Sequence, residues 1–329
     1  GTDPREDISP TSTYYLLKDI RNGARAKERK AIIDDESLLS IASEWKPILE
    51  QIPKALQSDC KDLEFVAWLI EALCRLHGFK GLTVGFTIAS KLIDLYWDEL
   101  FPTPDPADMS ERLAPLIGLN GVDSEGSLIQ PIKCILITNG TTEGPFSTWE
   151  YEQAYEVDRL EASKRQKRID AGAVSLESLK DSISESTDTF YLNLHSDIEA
   201  AMDAFSLLST SMDNAMDGEP QPTSYISKAL ANSANAIKSI AHDIIERSQL
   251  IAEQDNNNEV TTGEESKQDS ASSIDKQIAS RAQAIKDLAH ISAFFRETEP
   301  HSPMSYAIEQ VVRWSNLSLP ELLQELIVD

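Results

Sequence analysis

The chain has 329 residues, of which 41% are hydrophobic, and its 55 acidic and 30 basic residues give a formal net charge of −25. This charge argues against general nucleic-acid binding, because the phosphate backbone would be repelled. No apolar run approaches the ~18 residues of a membrane span, so no direct membrane insertion is expected. Glycine is scarce, at 13 residues, and long stretches repeat with a helical period. The sequence therefore predicts an all-α protein of about two domains.

The first predicted helix begins at Ser9-Pro10, where serine caps the helix and proline occupies its first position, and it runs to about Lys30. Between Lys18 and Lys30, six basic and two acidic residues give a local charge of +4 in an otherwise acidic chain. Side chains three or four residues apart share a helix face. Two interpretations stay open for this face: it pairs with acids of its own domain, or it docks a partner. The candidate docking residues are Lys18, Arg21, Arg25 and Arg29.

The strongest core signal is the segment DCKDLEFVAWLIEALCRLHG, which begins at residue 59. It is apolar on most sides, as expected of a central helix, and Gly78 is its predicted C-cap. A helix over 36–57, with prolines at 47 and 53 that should bend it, precedes this segment, and another over 82–100 follows. The apolar stretch 127–138, interrupted by Pro131, is compatible with a kinked helix or a buried strand.

The second half of the chain is divided by two polar stretches. Residues 139–147 are rich in Gly, Thr and Pro and form a predicted boundary, and 254–274 are almost without apolar residues, which predicts a flexible linker. A charged helix over 149–171 carries a basic cluster, and helices over 188–216 and 225–251 follow. The predicted domains are 1–140, an N-terminal helical domain; 148–253, a middle helical region; 254–274, the linker; and 275–329, a C-terminal helical segment.

The stretch TEPHSPMSYAIEQVVRW places an acid, a histidine and a serine within four residues, 299–302, which are the residue types of a hydrolase triad. However, adjacent histidine and serine side chains point apart, and no Gly-rich turn offers an oxyanion hole. We expect a corner between two helices, with Ser302-Pro303 opening the second one. The corner residues are Pro300, His301, Ser302 and Pro303.

No other part of the sequence has the pattern of an active site. It contains no HExxH, no Gly-rich phosphate loop, no GxGxxG and no Cys/His spacing for a metal. We therefore expect no catalytic residue, no cofactor and no metal, and we do not expect an enzyme. Cys60, Cys74 and Cys134 are widely spaced, which is typical of a reducing compartment. Together with the lack of a recognisable signal peptide, they predict a cytoplasmic location.

The C-terminal segment is predicted to drive self-association. Short helices spanning some 50 residues bury too little surface to be stable alone, and identical copies in closed symmetry are the usual remedy. The candidate oligomerisation residues are Phe295, Val311, Trp314, Leu322, Leu323 and Leu326.

Several motifs in order along the chain resemble one protein family. The segment DPREDISPTSTYYLLKDIRNGARAKER is similar to the N-terminal signature of the ImpA/TssA proteins of bacterial type VI secretion systems. Downstream, YWDELFP and ERLAPLIGLNG resemble the rest of their N-terminal domain, and MDNAMDGEPQPTSYISKAL resembles their middle region. At the other end, TEPHSPMSYAIEQVVRWSNLSLPELLQELI is similar to the C-terminal segment of short-tailed members.

This resemblance implies a helical, non-enzymatic, cytoplasmic assembly protein. The implied partners are baseplate, membrane-complex, sheath and tube proteins, together with further copies of the chain. The motifs do not separate a baseplate role from a sheath-capping role. Two other hypotheses compete with this one: a generic helical adaptor outside a secretion machine, and an enzyme with an unrecognised helical site.

Overall fold

The computed structural model describes residues 1–34, 41–105 and 108–258, together with Ser292 and Arg296. The described residues form ten α-helices, and within them two isolated bridges are the β-type contacts. The all-α prediction is confirmed. Contacts divide the chain into two compact units, 1–257 and 258–329.

Helix α1 spans Thr13–Asp34, so it begins three residues later than the sequence predicted. The backbone N–H of Ser12 donates to the carbonyl oxygen of Ser9 at 2.9 Å, which closes a turn around Pro10. Ser12 Oγ then accepts the backbone N–H of Tyr15 at 3.5 Å. The predicted cap at Ser9 is therefore wrong, because Ser9 is used in the turn that precedes the helix.

Helix α2 spans Lys46–Ser58 and follows a 3₁₀ turn at Ala42–Trp45. Pro47 lies in its first turn and Pro53 lies inside it. The predicted helix from residue 36 therefore begins at Lys46 among the described residues, because proline suits a first turn better than an interior position.

Helix α3 spans Leu63–Tyr96 and contributes more residues to the central core than any other described helix. The Asp62 side chain caps it by accepting the backbone N–H groups of Glu64 at 2.8 Å and Phe65 at 3.0 Å. Gly78 interrupts the helix with a φ of 56° and a ψ of −138°, a conformation that suits glycine because it has no Cβ. The sequence predicted the break at Gly78, but the chain resumes a helix at once.

Among the described residues, five short helices follow α3, and two long helices end the first unit. The apolar stretch that could have been helix or strand contains a five-residue helix, α5. Residues 254–258, the beginning of the predicted linker, continue the last helix, and 259–274 lie outside the described residues. The helices are α4 at Ala114–Asn120, α5 at Ile129–Lys133, α6 at Thr148–Asp158, α7 at Ala162–Asp170, α8 at Leu176–Glu185, α9 at Asp188–Ala215 and α10 at Ser224–Asn258.

The core joins regions that the sequence analysis had assigned to different domains. Helix α9 packs along α3, with the rings of Phe86 and Phe205 4.9 Å apart between centroids. Ser90 and Ser211 share a buried hydrogen bond of 2.8 Å in the same contact. The ranges 1–140 and 148–253 therefore lie in one compact unit.

A smaller apolar cluster lies beside the main core, between α6 and α8. It contains Phe146, Ala154 and Leu179. The predicted boundary at 139–147 connects to α8, because the backbone N–H of Asn139 donates to Ser186 Oγ at 2.7 Å. None of the described helices is both long and apolar enough to cross a bilayer.

A candidate docking site on the N-terminal helices

The four predicted docking residues of α1 lie in different surroundings. Arg21 forms an ion pair with the fully buried Glu71 of α3, and its guanidinium carbon lies 5.8 Å from the centre of the Trp68 ring. Lys18 places its ammonium 5.3 Å from the centre of the Tyr14 ring. Arg21 is therefore committed to its own domain, as one of the two open interpretations had it.

A second ion pair joins the same helix to α3. Arg75 donates to both carboxylate oxygens of Glu28, at 2.5 and 2.9 Å. The Trp45 Nε1–H donates to the same carboxylate at 2.8 Å, and the Arg75 guanidinium covers the Trp45 ring at 4.0 Å. Sequence reasoning missed this arrangement because Arg75 lies within a strongly apolar segment and its partners are 30 and 47 residues away.

Arg25 lies between these pairs without joining either of them. Among the described residues, no hydrogen bond or ion pair of its side chain is present. Burial lowers the pKa of Arg25; Glu71 acts in the opposite direction, and the neighbouring arginines lower the pKa further. Arg29, one turn later, is exposed. We call Arg21, Arg25, Arg75, Glu28 and Glu71 together the α1–α3 charge cluster.

The N-terminal segment is attached to α3 by a further set of charges. Arg5 donates to Asp62 at 2.7 Å and to Glu64 at 2.8 Å, and the Tyr14 hydroxyl donates to the same Glu64 oxygen at 2.9 Å. Burial opposes the charge of Arg5, but the hydrogen bond and charge of Asp62, with those of neighbouring acids, raise its pKa overall. The signal for this contact in the sequence was weak, since Arg5 precedes the first helix.

The N-terminal segment and α1 line one side of an open groove of about 640 Å³. Arg5, Arg21 and Arg25 lie on that side, and the end of α4 with the loop 121–127 forms the other. Val122 in this loop is 62% exposed. Glu64, Glu111 and Glu125 also line the groove, so its walls carry both signs of charge.

The described residues offer neither a metal centre nor a reactive thiol. Within them, no group of three or more His, Cys, Asp or Glu side chains could hold a metal ion. The three cysteines are free. Burial raises the pKa of Cys74 to about 12 and the pKa values of Cys60 and Cys134 to about 11, so these thiols are protonated at neutral pH.

The remaining predicted site residues lie outside the described residues, and their roles stay predictions. They are the oligomerisation candidates Phe295, Val311, Trp314, Leu322, Leu323 and Leu326 and the corner residues Pro300, His301, Ser302 and Pro303.

Comparisons with known proteins converge on one family. The model of the N-terminal region of ImpA, of the type VI secretion system, matches residues 1–121. The type VI secretion system component TssA1 of Pseudomonas aeruginosa (strain PAO1) is 24% identical over 140 residues, which are 43% of this chain and 39% of that protein. The chain thus matches well under half the length of this curated relative.

A solved structure shares the fold. It is the N-terminal domain, including the conserved ImpA N-terminal region, of the TssA component from Burkholderia cenocepacia. The similarity has a TM-score of 0.55 at 23% identity and covers 61% of this chain and 79% of that one. The C-terminal resemblance stays a prediction, but the N-terminal one is confirmed. Residues 1–121 thus match the N-terminal region of ImpA, and through this region the chain is similar to TssA components of type VI secretion systems.

Proposed function

We propose that the chain is a non-enzymatic assembly protein of a bacterial type VI secretion system. In this role its N-terminal helices dock to the baseplate or to the envelope-spanning complex and help the tail tube and sheath to assemble. The observation that carries the proposal is the match of residues 1–121 to the N-terminal region of ImpA. Most of the residues that line the groove fall within that range, and the others follow it directly, between Val122 and Ser127.

The chemistry of the groove favours binding over catalysis. Most of the charged side chains that line it are paired: Arg5 pairs with Glu64, and Arg21 pairs with the buried Glu71 behind the groove. Ser124 and Ser127 line the groove, but the residues described there include no histidine that could activate them. A hydrolytic site needs a nucleophile, a base and an oxyanion donor in mutual reach. An open, charged groove instead suits the contact with another protein chain.

Docking should be visible in cells that contain the secretion machine. We expect a chromosomal deletion of the gene to reduce type VI secretion and the number of fluorescent sheaths, and the intact gene to restore both. A tagged chain should co-purify with baseplate or envelope components. Arg25→Glu should weaken this co-purification, because it reverses the charge of the unpaired guanidinium, whereas Arg168→Glu on α7 should not. Normal secretion without the gene would contradict the proposal.

We further propose that residues 275–329 assemble copies of the chain, so that several docking sites act together. Multivalent attachment strengthens weak individual contacts. Light scattering should give an oligomer for the intact chain and a smaller species for a version ending at Asn258, where α10 ends. Trp314→Ala combined with Leu323→Asp should also reduce the oligomer. A truncated version that is already fully oligomeric would show that residues 1–258 drive assembly.

A further inference from the structure

We infer that the groove beside Arg25 binds an acidic segment of a partner protein, with a carboxylate paired to Arg25 and an apolar side chain placed against Val122. This inference rests on the proposed function, since it names the kind of partner that the N-terminal docking site recognises. It concerns a chemical class, a peptide segment with carboxylates beside apolar residues.

The first argument is an imbalance of charge within the protein. Three arginines, at 21, 29 and 75, lie close enough to Arg25 that their charges, in addition to burial, lower its pKa. Two carboxylates face them, the partly buried Glu28 and the fully buried Glu71. Glu28 is occupied by Arg75 and by the Trp45 indole, and Glu71 is occupied by Arg21. Within the described residues, Arg25 is thus left with positive charge that no carboxylate neutralises by direct contact.

The second argument concerns hydrogen bonds. Glu71 Oε1 is fully buried and has no hydrogen-bond partner among the described residues, so Arg25 does not donate to it. A half-buried guanidinium has five N–H donors, and leaving donors unpaired in a partly desolvated position costs free energy. A carboxylate that enters from the groove can accept two parallel N–H bonds from Arg25, the strongest arrangement for this pair.

The third argument is the shape and lining of the groove. A volume of about 640 Å³ accommodates several side chains, and it opens to solvent beside the exposed Val122 and the half-buried Pro115. An apolar side chain placed there would lose contact with water and gain burial. An apolar residue beside the carboxylate would therefore add affinity and orientation to the ion pair.

The acids that line the groove decide between a peptide and a nucleic acid. Glu64, Glu111 and Glu125 lie around it, and the whole chain carries −25. A continuous phosphate backbone would be repelled by these charges. A peptide carries its carboxylates at discrete positions and can place one at Arg25 while keeping neutral residues near the glutamates. The observations therefore favour an acidic peptide.

The test uses the full-length chain and two fluorescein-labelled peptides of twelve residues. One repeats Glu-Leu-Ala, and the other repeats Gln-Leu-Ala. Fluorescence anisotropy at low salt should show binding of the glutamate peptide about tenfold or more tighter than that of the glutamine peptide, as expected for a charge-assisted pair. Added salt should reduce the difference.

Variants locate the binding site. Arg25→Gln should remove the preference for glutamate, whereas Arg168→Gln, an equally conservative change on α7, should retain it. Thermal unfolding shows whether each variant is folded. If Arg25→Gln unfolds, Val122→Asp replaces it, because this exposed substitution adds a repelling carboxylate to the groove and should weaken the glutamate peptide about tenfold. Equal affinity for both peptides, or an unchanged preference in the groove variant used, overturns the inference.

The outcomes separate this inference from the proposed function. If the peptides fail while the tagged chain still co-purifies with secretion proteins, the assembly role stands and the partner chemistry is wrong. If the glutamate peptide binds through Arg25 while the gene proves dispensable for secretion, the partner chemistry stands and the assembly role is wrong.

Discussion

Two helices carry dense positive charge in this acidic chain, α1 and α7, and the structure uses them differently. On α1, the arginine at 21 reaches a fully buried carboxylate on α3. On α7, the basic residues 164, 165, 167 and 168 lie on a helix with no buried residue. We call these four residues the α7 cluster. Its ion pair between Arg165 and Asp158 spans 3.3 Å, with both side chains more than 40% exposed.

The difference shows that the neighbouring element, more than the basic residues themselves, determines what a charge cluster does. Helix α1 buries Tyr14, Leu17 and Ala24, and this packing brings Arg21 against Glu71 on α3. Removing one member of a buried pair leaves an uncompensated charge and costs several kcal/mol. An exposed pair contributes about 0–1 kcal/mol. The α1–α3 charge cluster is thus part of the architecture, and the α7 cluster is a solvated surface.

The largest expected effect follows from breaking the α1–α3 charge cluster. Glu71→Ala removes the fully buried carboxylate that pairs with Arg21 and leaves this partly buried guanidinium without its counter-charge. We expect a loss of about 3–5 kcal/mol in the free energy of unfolding, measured by urea denaturation. Lys167→Ala is the matched control and should change this quantity by less than about 0.5 kcal/mol. Similar values for both variants would remove the distinction between the two clusters.

Cysteine chemistry tests how deeply the core beside the α1–α3 charge cluster is buried, because Cys74 and Cys134 lie near Arg75. Burial raises the pKa of Cys74 to about 12 and that of Cys134 to about 11, from an ordinary value of 9.0. Since the thiolate is the reactive form, both thiols should react with iodoacetamide at pH 8 about a hundredfold or more slowly than in the urea-unfolded chain. A cysteine introduced on α7 by Ser163→Cys should react fast in the folded protein.

The same raised pKa values predict the direction of a pH dependence. The folded chain keeps its thiol protons at pH values where the unfolded chain has lost them. Stability from these groups is therefore complete below pH 9 and is lost as the pH rises from about 9 towards 12. Urea denaturation at pH 8 and pH 10.5 should show the decrease, and replacing Cys74 and Cys134 with alanine should reduce it. An unchanged decrease in that double variant would assign it to other groups.

A smaller effect is expected at the start of α6, the helix that precedes α7. Ser147 and Glu150 form a reciprocal capping box, with the backbone N–H of Ser147 donating to the Glu150 carboxylate at 2.7 Å. Ser147→Ala should cost about 1 kcal/mol of stability in thermal or urea unfolding. Helix α7 has no side-chain cap at Glu161, so Glu161→Ala should have little effect. A larger loss at Glu161 would show that α7 depends on its first turn.

The smallest expected effect concerns the α7 cluster as a whole. Replacing its four basic residues with glutamine should change the free energy of unfolding by less than about 0.5 kcal/mol, because exposed charges are screened and solvated. Circular dichroism should retain the helical signal. A clear loss of stability would show that α7 is held by its charges, and the comparison with α1 would then need revision.

The sequence by itself determined the fold class, the central helix and its interruption. A segment of about 20 residues that is apolar on most sides is too long for a typical strand and is typical of a buried helix, and this predicted α3 well. Gly78 was found because a chain break in a helix needs a residue that tolerates positive φ. These features are local, since spacing and side-chain type within one or two turns define them.

Only the tertiary structure decided how distant segments combine. The contact of α9 with α3 joins residues about 120 positions apart, and periodicity shows that each helix has an apolar face without naming its partner. For the same reason, four similar basic side chains on α1 proved different. Arg21 and Arg25 are one turn apart, yet Arg21 meets Glu71 while Arg25 remains beside the groove. Packing of α1 on α3 set these distances, and at such short range a shift of one helical turn decides whether a guanidinium reaches the carboxylate.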